Sequence, residues 1–556
     1  MKQYYYIALT IGPIYKTLAF AKRTRELWAA SYIFSHMMEE IIKIINTIEK
    51  YEIILPIRSQ STEPLNEDVG LFPDRLIARI DNPNQSPQKE LLKDFNSVIS
   101  EVQDEIKKIA GFSIPNNYFD NYFQLYSLIV QLNEDEDPIK TIYPLLDSME
   151  QQSSFNSRFT DNQIKLFLNN VIGSSLYIKA FKDRKRFRSV PEIATQNLKS
   201  QPNYDRIFQE CLKNEDSDPY SLLYKEYNSE GQRQLLYYYH KYMAVVQADG
   251  DDMGKLLRAL FEYGGTDVIK SFSECLMHFN NAAATEIKKF NGVPIYLGGD
   301  DMLFFAPVKN EETIFELIAI LDNFFREHIS ESPLVIDAIT LWNKGTELDK
   351  CRKHISLPTI SFGCAFSYHK YPLKEAIETA RSLLFDTAKH FPGKNTISFR
   401  LLKHSGHYIG ASINKNWKTW YAFRYTLGDD GINEKALTSI HYNMEPLRPV
   451  FKRILCGRSN NYENSDIKEI ATNFLPEERL REFYLKTLSA NFFNEKTFHD
   501  FSREFINYVL ALLLQTYRDM EDSFGNNPHT ADRAIDSVYT FLRIMQFYNQ
   551  PFNKED

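Results

Sequence analysis

Residues 295–305 read IYLGGDDMLFF: an apolar run, two glycines, two adjacent aspartates and a second apolar run. Apolar segments joined by a Gly-Gly turn predict a β-hairpin with strands over Val293–Leu297 and Met302–Ala306. Adjacent carboxylates repel, and burying either costs free energy unless a partner offsets it. The partner this arrangement calls for is a metal ion. Taken alone, the hairpin is also compatible with a polar surface turn, so the flanking sequence has to decide.

Upstream, VVQADGDDMGKLL at 245–257 places Asp249 where an apolar strand, Lys241–Ala248, ends. Gly250 to Gly254 then turn into a helix, and backbone N–H groups at a helix N-terminus suit a triphosphate. The pattern continues with a helix over Thr266–Phe290, the hairpin, a helix near Glu311–His328 and an insertion. The strand Thr359–Phe366, the helix Leu373–Lys389 and the strand Thr396–Leu401 follow. This β-α-β-β-α-β order predicts an α+β, ferredoxin-like unit, the arrangement called a palm in polymerases and nucleotide cyclases. Its first strand lies beside the hairpin, so Asp249, Asp300 and Asp301 are expected to converge as catalytic metal ligands.

Three carboxylates at one point would hold two divalent cations, Mg²⁺ or Mn²⁺, because hard oxygen ligands select hard ions. One metal would activate an attacking hydroxyl, and the other would grip a triphosphate and stabilise the leaving pyrophosphate. Gly298 and Gly299 let nucleotide and metal approach the backbone. The nucleotide-binding set expected from this pattern is Gly250, Asp251, Asp252, Met253, Gly254 and Lys255 of the turn, with Gly298 and Gly299. Two downstream residues join it: Ser361 in TISFG as a reader of a base edge, and Lys389 as a contact to the triphosphate. Each also has a plain structural reading, a hydroxyl satisfied within the sheet and a lysine complementing a helix C-terminus. DGDDMGK is not a P-loop: the gap between its glycines is one residue short, and Leu256 stands where Ser or Thr would hold Mg²⁺. Nor is it an EF-hand loop, since Met253 and Leu260 fill positions that need oxygen ligands.

The N-terminal part shows a similar order. YYYIALTI at 4–11 predicts a strand ended by Gly12 and Pro13, followed by a helical segment over about Ile14–Ile48 and two strand-like runs, YEIILPI and RLIARI. Where the later palm has Asp249 this one has Gly12 and Pro13, and its hairpin equivalent lacks a GGDD, so it cannot assemble the same two-metal site. It reads as a degenerate palm that forms a wall of the nucleotide pocket and receives the acceptor. The expected division is a first palm with its core in 1–90, extending to as far as about 180; a helical and irregular linker over 91–235; the catalytic palm over 236–405; and a helical bundle over 406–556.

The chain of 556 residues is 43% hydrophobic and 25% charged, with a net charge of −8, so composition carries no global basic signature for nucleic acid. The basic positions Lys22, Arg23 and Arg25 and the cluster Lys182–Arg188 are candidates for local RNA-phosphate or partner contacts, although a charge run is more often a solvated face. Five dispersed cysteines, Cys211, Cys275, Cys351, Cys364 and Cys456, contain no CxxC pair and argue for a reducing compartment. No apolar run reaches the length of a membrane span, so a cytoplasmic protein is expected.

DGDDMGK, GGDD and PTISFGCAFSYHKYPLKEAIETARSLLFDTAKHFPGKN, together with IGPIYKTLAFAKRTRELWAASYIFS near the N-terminus and FRSVPEIATQN before the second palm, resemble one family. It is the large palm-containing subunit of type III-B CRISPR effector complexes, the second subunit of the Cmr complex. The resemblance covers most of residues 1–405. It implies a nucleotidyltransferase that uses ATP to make a second messenger when its ribonucleoprotein complex, built from other Cmr subunits and guide RNA, binds target RNA. Carried over by motif, Asp249, Asp300 and Asp301 are the metal ligands, the Gly250 to Lys255 turn holds phosphates and Lys389 touches the triphosphate. Members usually make cyclic oligoadenylate, the product expected here; some join AMP to S-adenosylmethionine, which stays open as the second substrate. Two departures are expected: no HD nuclease, since His499 and Asp500 lack suitable companions, and no zinc site between the palms, where only Cys211 stands. A GGDEF-like dinucleotide cyclase and a non-catalytic scaffold are the remaining alternatives.

Overall fold

The computed structural model describes residues 3–58, 64–80, 88–110, 118–119, 122–151, 161–172, 174–180, 187–214, 217–228, 235–348, 353–403, 406–427, 444–449, 451–452, 455, 499–525 and 529–552. Lys182 to Arg186 of the basic cluster and Cys351 and Cys456 lie outside these residues, as do the side chains of His499 and Asp500. The chain is α+β and is built on two sheets.

The first sheet comprises β1 (Gln3–Gly12), β2 (Tyr51–Leu55), β3 (Arg75–Ile80) and β4 (Gln124–Asn133), in the order β2-β3-β1-β4. All neighbours are antiparallel, with Ile7 opposite Ala78 on one side and Ile129 on the other. The expected single helix after β1 is two: Ile14–Leu18 and Thr24–Ile45. The longer one starts where Glu26 accepts the N–H groups of Lys22 (2.8 Å) and Arg23 (3.3 Å), satisfying donors that a helix start leaves free. It packs against the helix Gln88–Ala110 and buries Leu27, Trp28, Ile33, Met37 and Ile41.

β4 corrects the expected helical and irregular linker over 91–235, because it runs inside that stretch and closes the first sheet. The reason is legible afterwards: QLYSLIVQLN is only half-buried along most of its length, as an edge strand can be, and it has little local apolar contrast.

The second sheet comprises β5 (Tyr242–Gly250), β6 (Val293–Gly298), β7 (Asp301–Pro307), β8 (Ile360–Tyr368), β9 (Thr396–Leu402) and β10 (Tyr408–Asn414), in the order β10-β9-β8-β5-β7-β6. Only the β8–β9 pair is parallel. β5 lies in the middle and is buried along nearly its whole length, which explains the apolar run from Tyr242 to Val246. The tail after residue 406, expected to be mostly helical, opens with β10, an edge strand on β9 with Ala411 opposite Phe399. The helix expected to begin at Thr266 starts at Met253, directly after the turn, and runs to Lys289 with a break at Gly264 and Gly265. The helices Lys418–Leu427, His499–Phe524 and Thr530–Asn549 follow, and the last packs on β10. None of the described helices is long and apolar enough to cross a membrane.

The two palms are joined by backbone and side chain. Leu297 on the edge strand β6 donates its N–H to the Gly70 carbonyl at 2.8 Å. Ile57 N–H donates to Ser273 Oγ at 2.9 Å, and Lys270 pairs with Glu52. These ties set the first palm's β2–β3 connection over the mouth of the second palm.

Candidate active site

Asp249 is carried at the end of β5, opposite Ser361 of β8, and the β6–β7 turn brings Asp300 and Asp301 beside it. Two glycines make this approach possible. A Cβ on Gly250 would lie 2.7 Å from Met253 Cγ and 2.9 Å from Asp300 Cβ, and Gly299 has φ +66°, a conformation that favours glycine. Burial, then the neighbouring Asp249, pushes the Asp300 carboxyl up to about 7. Asp301 is also raised, by burial, Asp249 and Asp300, and its buried Oδ1 has no hydrogen-bond partner. Carboxylates crowded in this way, with a buried oxygen left over, fit a hard divalent cation. Asp249, Asp300 and Asp301 are the residues that would hold it.

Four residues of the expected nucleotide set line one cavity with the two hairpin aspartates: Met253, Gly254, Gly298 and Gly299. The cavity has a volume of about 440 Å³ and lies between the palms. Its apolar wall comes from both halves of the broken helix, Leu257 on one and Ile269, Phe272 and Leu276 on the other, with Leu55 and Pro56 of the first palm opposite. Lys255 stands at the surface, 2.7 Å from Asp252, and Asp252 also meets Lys394 at 3.0 Å. Burial alone would raise the Asp252 carboxyl, but the hydrogen bonds from Lys255 and Lys394 outweigh it and hold it below its usual range.

Ser361 and Asp251 are placed differently from the expectation. Ser361 is fully buried and its Oγ donates to Asp251 at 2.8 Å, so it reads no base edge. Asp251 is 2% exposed and bonded within the fold, which removes it from the set that touches nucleotide. Lys389 is at the site, but among carboxylates: it pairs with Asp249 and, at 3.0 Å, with Asp251. Burial would lower its affinity for a proton, and the two carboxylates outweigh that and raise it.

Asp74 was not found from the sequence. It stands immediately before β3, as Asp301 opens β7, so the degenerate palm keeps a carboxylate at the place where the second palm has the GGDD aspartates. It lines the cavity with Arg75 and Tyr143. Burial holds its carboxyl up at about 6, against the lowering effect of Arg75. Arg75 is itself engaged by Asp147 at 2.6 Å and Glu150 at 2.9 Å. The only sequence signal was an aspartate at the start of RLIARI, and no local pattern tells such a residue from a turn former.

The basic positions near the N-terminus and in the linker give less. Lys22 and Arg23 are exposed, while Arg188 donates to the Asn291 carbonyl at 2.9 Å and thereby ties the linker to the second palm. Cys211 is a free thiol, as are Cys275 and Cys364.

Comparison with known proteins places these features. Residues 242–398 match the second palm domain of Cas10/Cmr2, and residues 6–111 match the N-terminal domain of CRISPR-associated protein Cmr2. A CRISPR system Cmr subunit Cmr2 from Pyrococcus furiosus is 30% identical over 191 residues, covering 30% of this chain and 19% of that protein, so the match spans about a fifth of the relative. Among solved structures, a type III-B Cmr-beta assembly in its apo state matches at TM-score 0.45 and 11% identity over 72% of this chain and 70% of that one. A Csm1-Csm4 cassette in complex with one ATP matches at TM-score 0.42 and 10% identity over 98% and 70%.

Proposed function

We propose that this chain, which belongs to the Cas10/Cmr2 family through its N-terminal domain and its second palm, transfers the adenylyl group of ATP to a hydroxyl acceptor. It would do so as the palm-bearing subunit of an RNA-guided type III CRISPR complex. The observation that carries this reading is the meeting of Asp249, Asp300 and Asp301 beside a helix-opening turn and a cavity large enough for a nucleoside. The acceptor oxygen attacks the α-phosphorus, the bond to the β-phosphate breaks, pyrophosphate leaves and the acceptor's proton passes to solvent. Divalent cations, when bound, would supply Lewis acidity at the phosphates and lower the pKa of the hydroxyl. The chain's residues do the rest. The turn from Gly250 to Lys255 presents N–H groups to the triphosphate, Lys394 and Lys255 add positive charge along its path, and the apolar wall around Leu257 and Phe272 takes the adenine.

The product expected from family frequency is cyclic oligoadenylate, made when target RNA binds the assembled complex. Asp74 favours a second reading. A second ATP as acceptor would bring up to four negative charges against Asp74, whereas S-adenosylmethionine would bring an ammonium and a sulfonium, and the 3′-hydroxyl of its adenosine can serve as nucleophile. The deciding experiment incubates the activated complex with ATP and Mg²⁺ or Mn²⁺, with and without S-adenosylmethionine, and resolves the products by mass. An ATP-only ladder or ring supports oligoadenylate, and a product that requires S-adenosylmethionine supports the conjugate. Dominant use of GTP would instead point to a GGDEF-like cyclase. Asp300→Ala with Asp301→Ala should abolish either product while leaving assembly and RNA binding nearly unchanged; wild-type turnover by that double variant would sink the metal assignment.

A further inference from the structure

The DGDD turn contains three aspartates, and the tertiary structure gives the middle one a task unlike the others. Both carboxyl oxygens of Asp251 are engaged. Oδ2 accepts from Thr359 Oγ1 at 2.7 Å, from Ser361 Oγ at 2.8 Å and from the Asn395 N–H at 3.1 Å. Oδ1 lies 3.0 Å from Lys389 Nζ. Its own N–H donates to the Thr359 carbonyl at 2.6 Å. These partners come from the entry to β8, from the turn before β9 and from the short helical turn Ala388–His390.

Each of those segments bears on the phosphate path. Lys389 donates to the carbonyls of Asp249 (2.8 Å) and Gly250 (2.6 Å), so its ammonium is pinned to the backbone that carries the metal ligand. The turn before β9 has three successive residues with positive φ: Gly393 (76°), Lys394 (49°) and Asn395 (47°). Two of these are not glycine, and such a conformation persists only where surroundings hold it. What holds it is the Asp251 carboxylate on the Asn395 N–H, Asn414 Nδ2 on the Lys394 carbonyl (2.8 Å) and the Lys415 N–H on the Asn395 carbonyl (2.8 Å). Lys394 is thereby directed to the turn, where it meets Asp252.

We infer that Asp251 is a positioning residue that sets two ammonium groups, Lys389 and Lys394, relative to Asp249 before a triphosphate arrives. It touches neither metal nor nucleotide. The inference rests on the nucleotidyl-transfer reading and assigns to one buried carboxylate the geometry of that site's cationic side. Removing its charge while keeping its shape should therefore weaken the hold on the triphosphate and leave the metal ligands intact.

The test compares wild type with Asp251→Asn, Ser361→Ala, Asp249→Asn and Lys389→Met. Binding of a non-hydrolysable ATP analogue is followed by calorimetry, and Mn²⁺ binding without nucleotide by electron paramagnetic resonance; KM and kcat for ATP are measured in the assembled complex. Asp251→Asn is expected to weaken the analogue and raise KM at least tenfold, like Lys389→Met, with Mn²⁺ affinity changed less than twofold. Ser361→Ala, which removes one donor to Asp251 and nothing that faces the cavity, should move the same quantities in the same direction by a smaller factor. Asp249→Asn should lose Mn²⁺. If Asp251→Asn loses Mn²⁺ as Asp249→Asn does, Asp251 is a ligand and the inference fails; if it binds the analogue as wild type does, the inference also fails. A wild-type chain that binds neither Mn²⁺ nor analogue overturns the nucleotidyl-transfer reading together with the inference, which separates the two failures.

Discussion

Asn66 of the first palm and Asn281 of the second pair side chain to side chain across the domain boundary, Asn66 Nδ2 donating to Asn281 Oδ1 at 2.7 Å. The Asn66 N–H donates to the same oxygen at 3.0 Å, and Lys288 reaches the Asn66 carbonyl oxygen of the side chain at 2.7 Å. Asn281→Ala removes this acceptor and leaves partly buried donors on the other side. Leaving such groups unsatisfied costs about 1–3 kcal/mol, so the variant should unfold at lower urea than wild type. An unchanged midpoint would show that the palms are not held together here.

The acidity of Asp300 sets a pH dependence for metal binding. Burial and then Asp249 hold its carboxyl up at about 7, so below that pH a proton occupies the place a cation needs. Mn²⁺ affinity should therefore rise as pH increases through about 7 and level off above it. Without metal the sign for stability is opposite. The native state keeps protons that an unfolded carboxylate has released above about 4, so the metal-free chain loses stability as pH rises through that window. Mn²⁺ titrations and urea unfolding at three pH values check both, and a pH-independent affinity contradicts the assignment.

Two glycines in the same helix should respond in opposite ways. Gly265 has φ 67° and ψ −151°, a region open essentially to glycine alone, and it joins the two helical arms that line the cavity. Gly265→Ala should cost about 1–3 kcal/mol and disturb nucleotide binding. Gly254 has open space where a Cβ would go, so Gly254→Ala should leave stability unchanged or raise it by about 0.5–1 kcal/mol while its methyl crowds the triphosphate. Equal thermal stability of the two variants would contradict this contrast.

His240, at the entry to β5, is fully buried and accepts the Tyr237 N–H at 2.9 Å, with Asn197 Oδ1 at 2.9 Å on its other nitrogen. Burial lowers its pKa to about 3. The unfolded imidazole takes up a proton near 6.5, so this group removes stability progressively as pH falls below that value and towards 3. His240→Gln should flatten the acid limb of a pH–stability curve; an identical limb in both proteins would show that His240 is not the group responsible.

The isolated chain should turn over ATP negligibly, and activity should appear when guide RNA, partner subunits and target RNA are present. Full turnover by the purified chain alone would contradict the dependence on assembly.

The hairpin around GGDD, the central strand β5 and the strand β8 could be read from the chain because each is a local apolar run bounded by turn residues, and their order implied which ends meet. β4 and β10 could not, since each is a half-exposed edge whose partner, β1 or β9, supplies the hydrogen bonds that make it a strand. Asp74 escaped for a related reason. Its place opposite the GGDD turn depends on how one palm sits on the other.

What the sequence by itself determined is the inventory: a palm with three carboxylates at the ends of two buried elements, and an earlier palm without them. What only the tertiary structure decided is which carboxylate does what. Asp249, Asp251 and Asp252 are near neighbours of one residue type, yet the first stands with the hairpin aspartates, the second is buried on Ser361 and Asn395, and the third is exposed to Lys255 and Lys394. The difference is physical. A carboxylate's charge and reach are set by its burial and by the cations and donors around it, and here Ser361, Lys394 and Asn395 arrive from more than a hundred residues away along the chain.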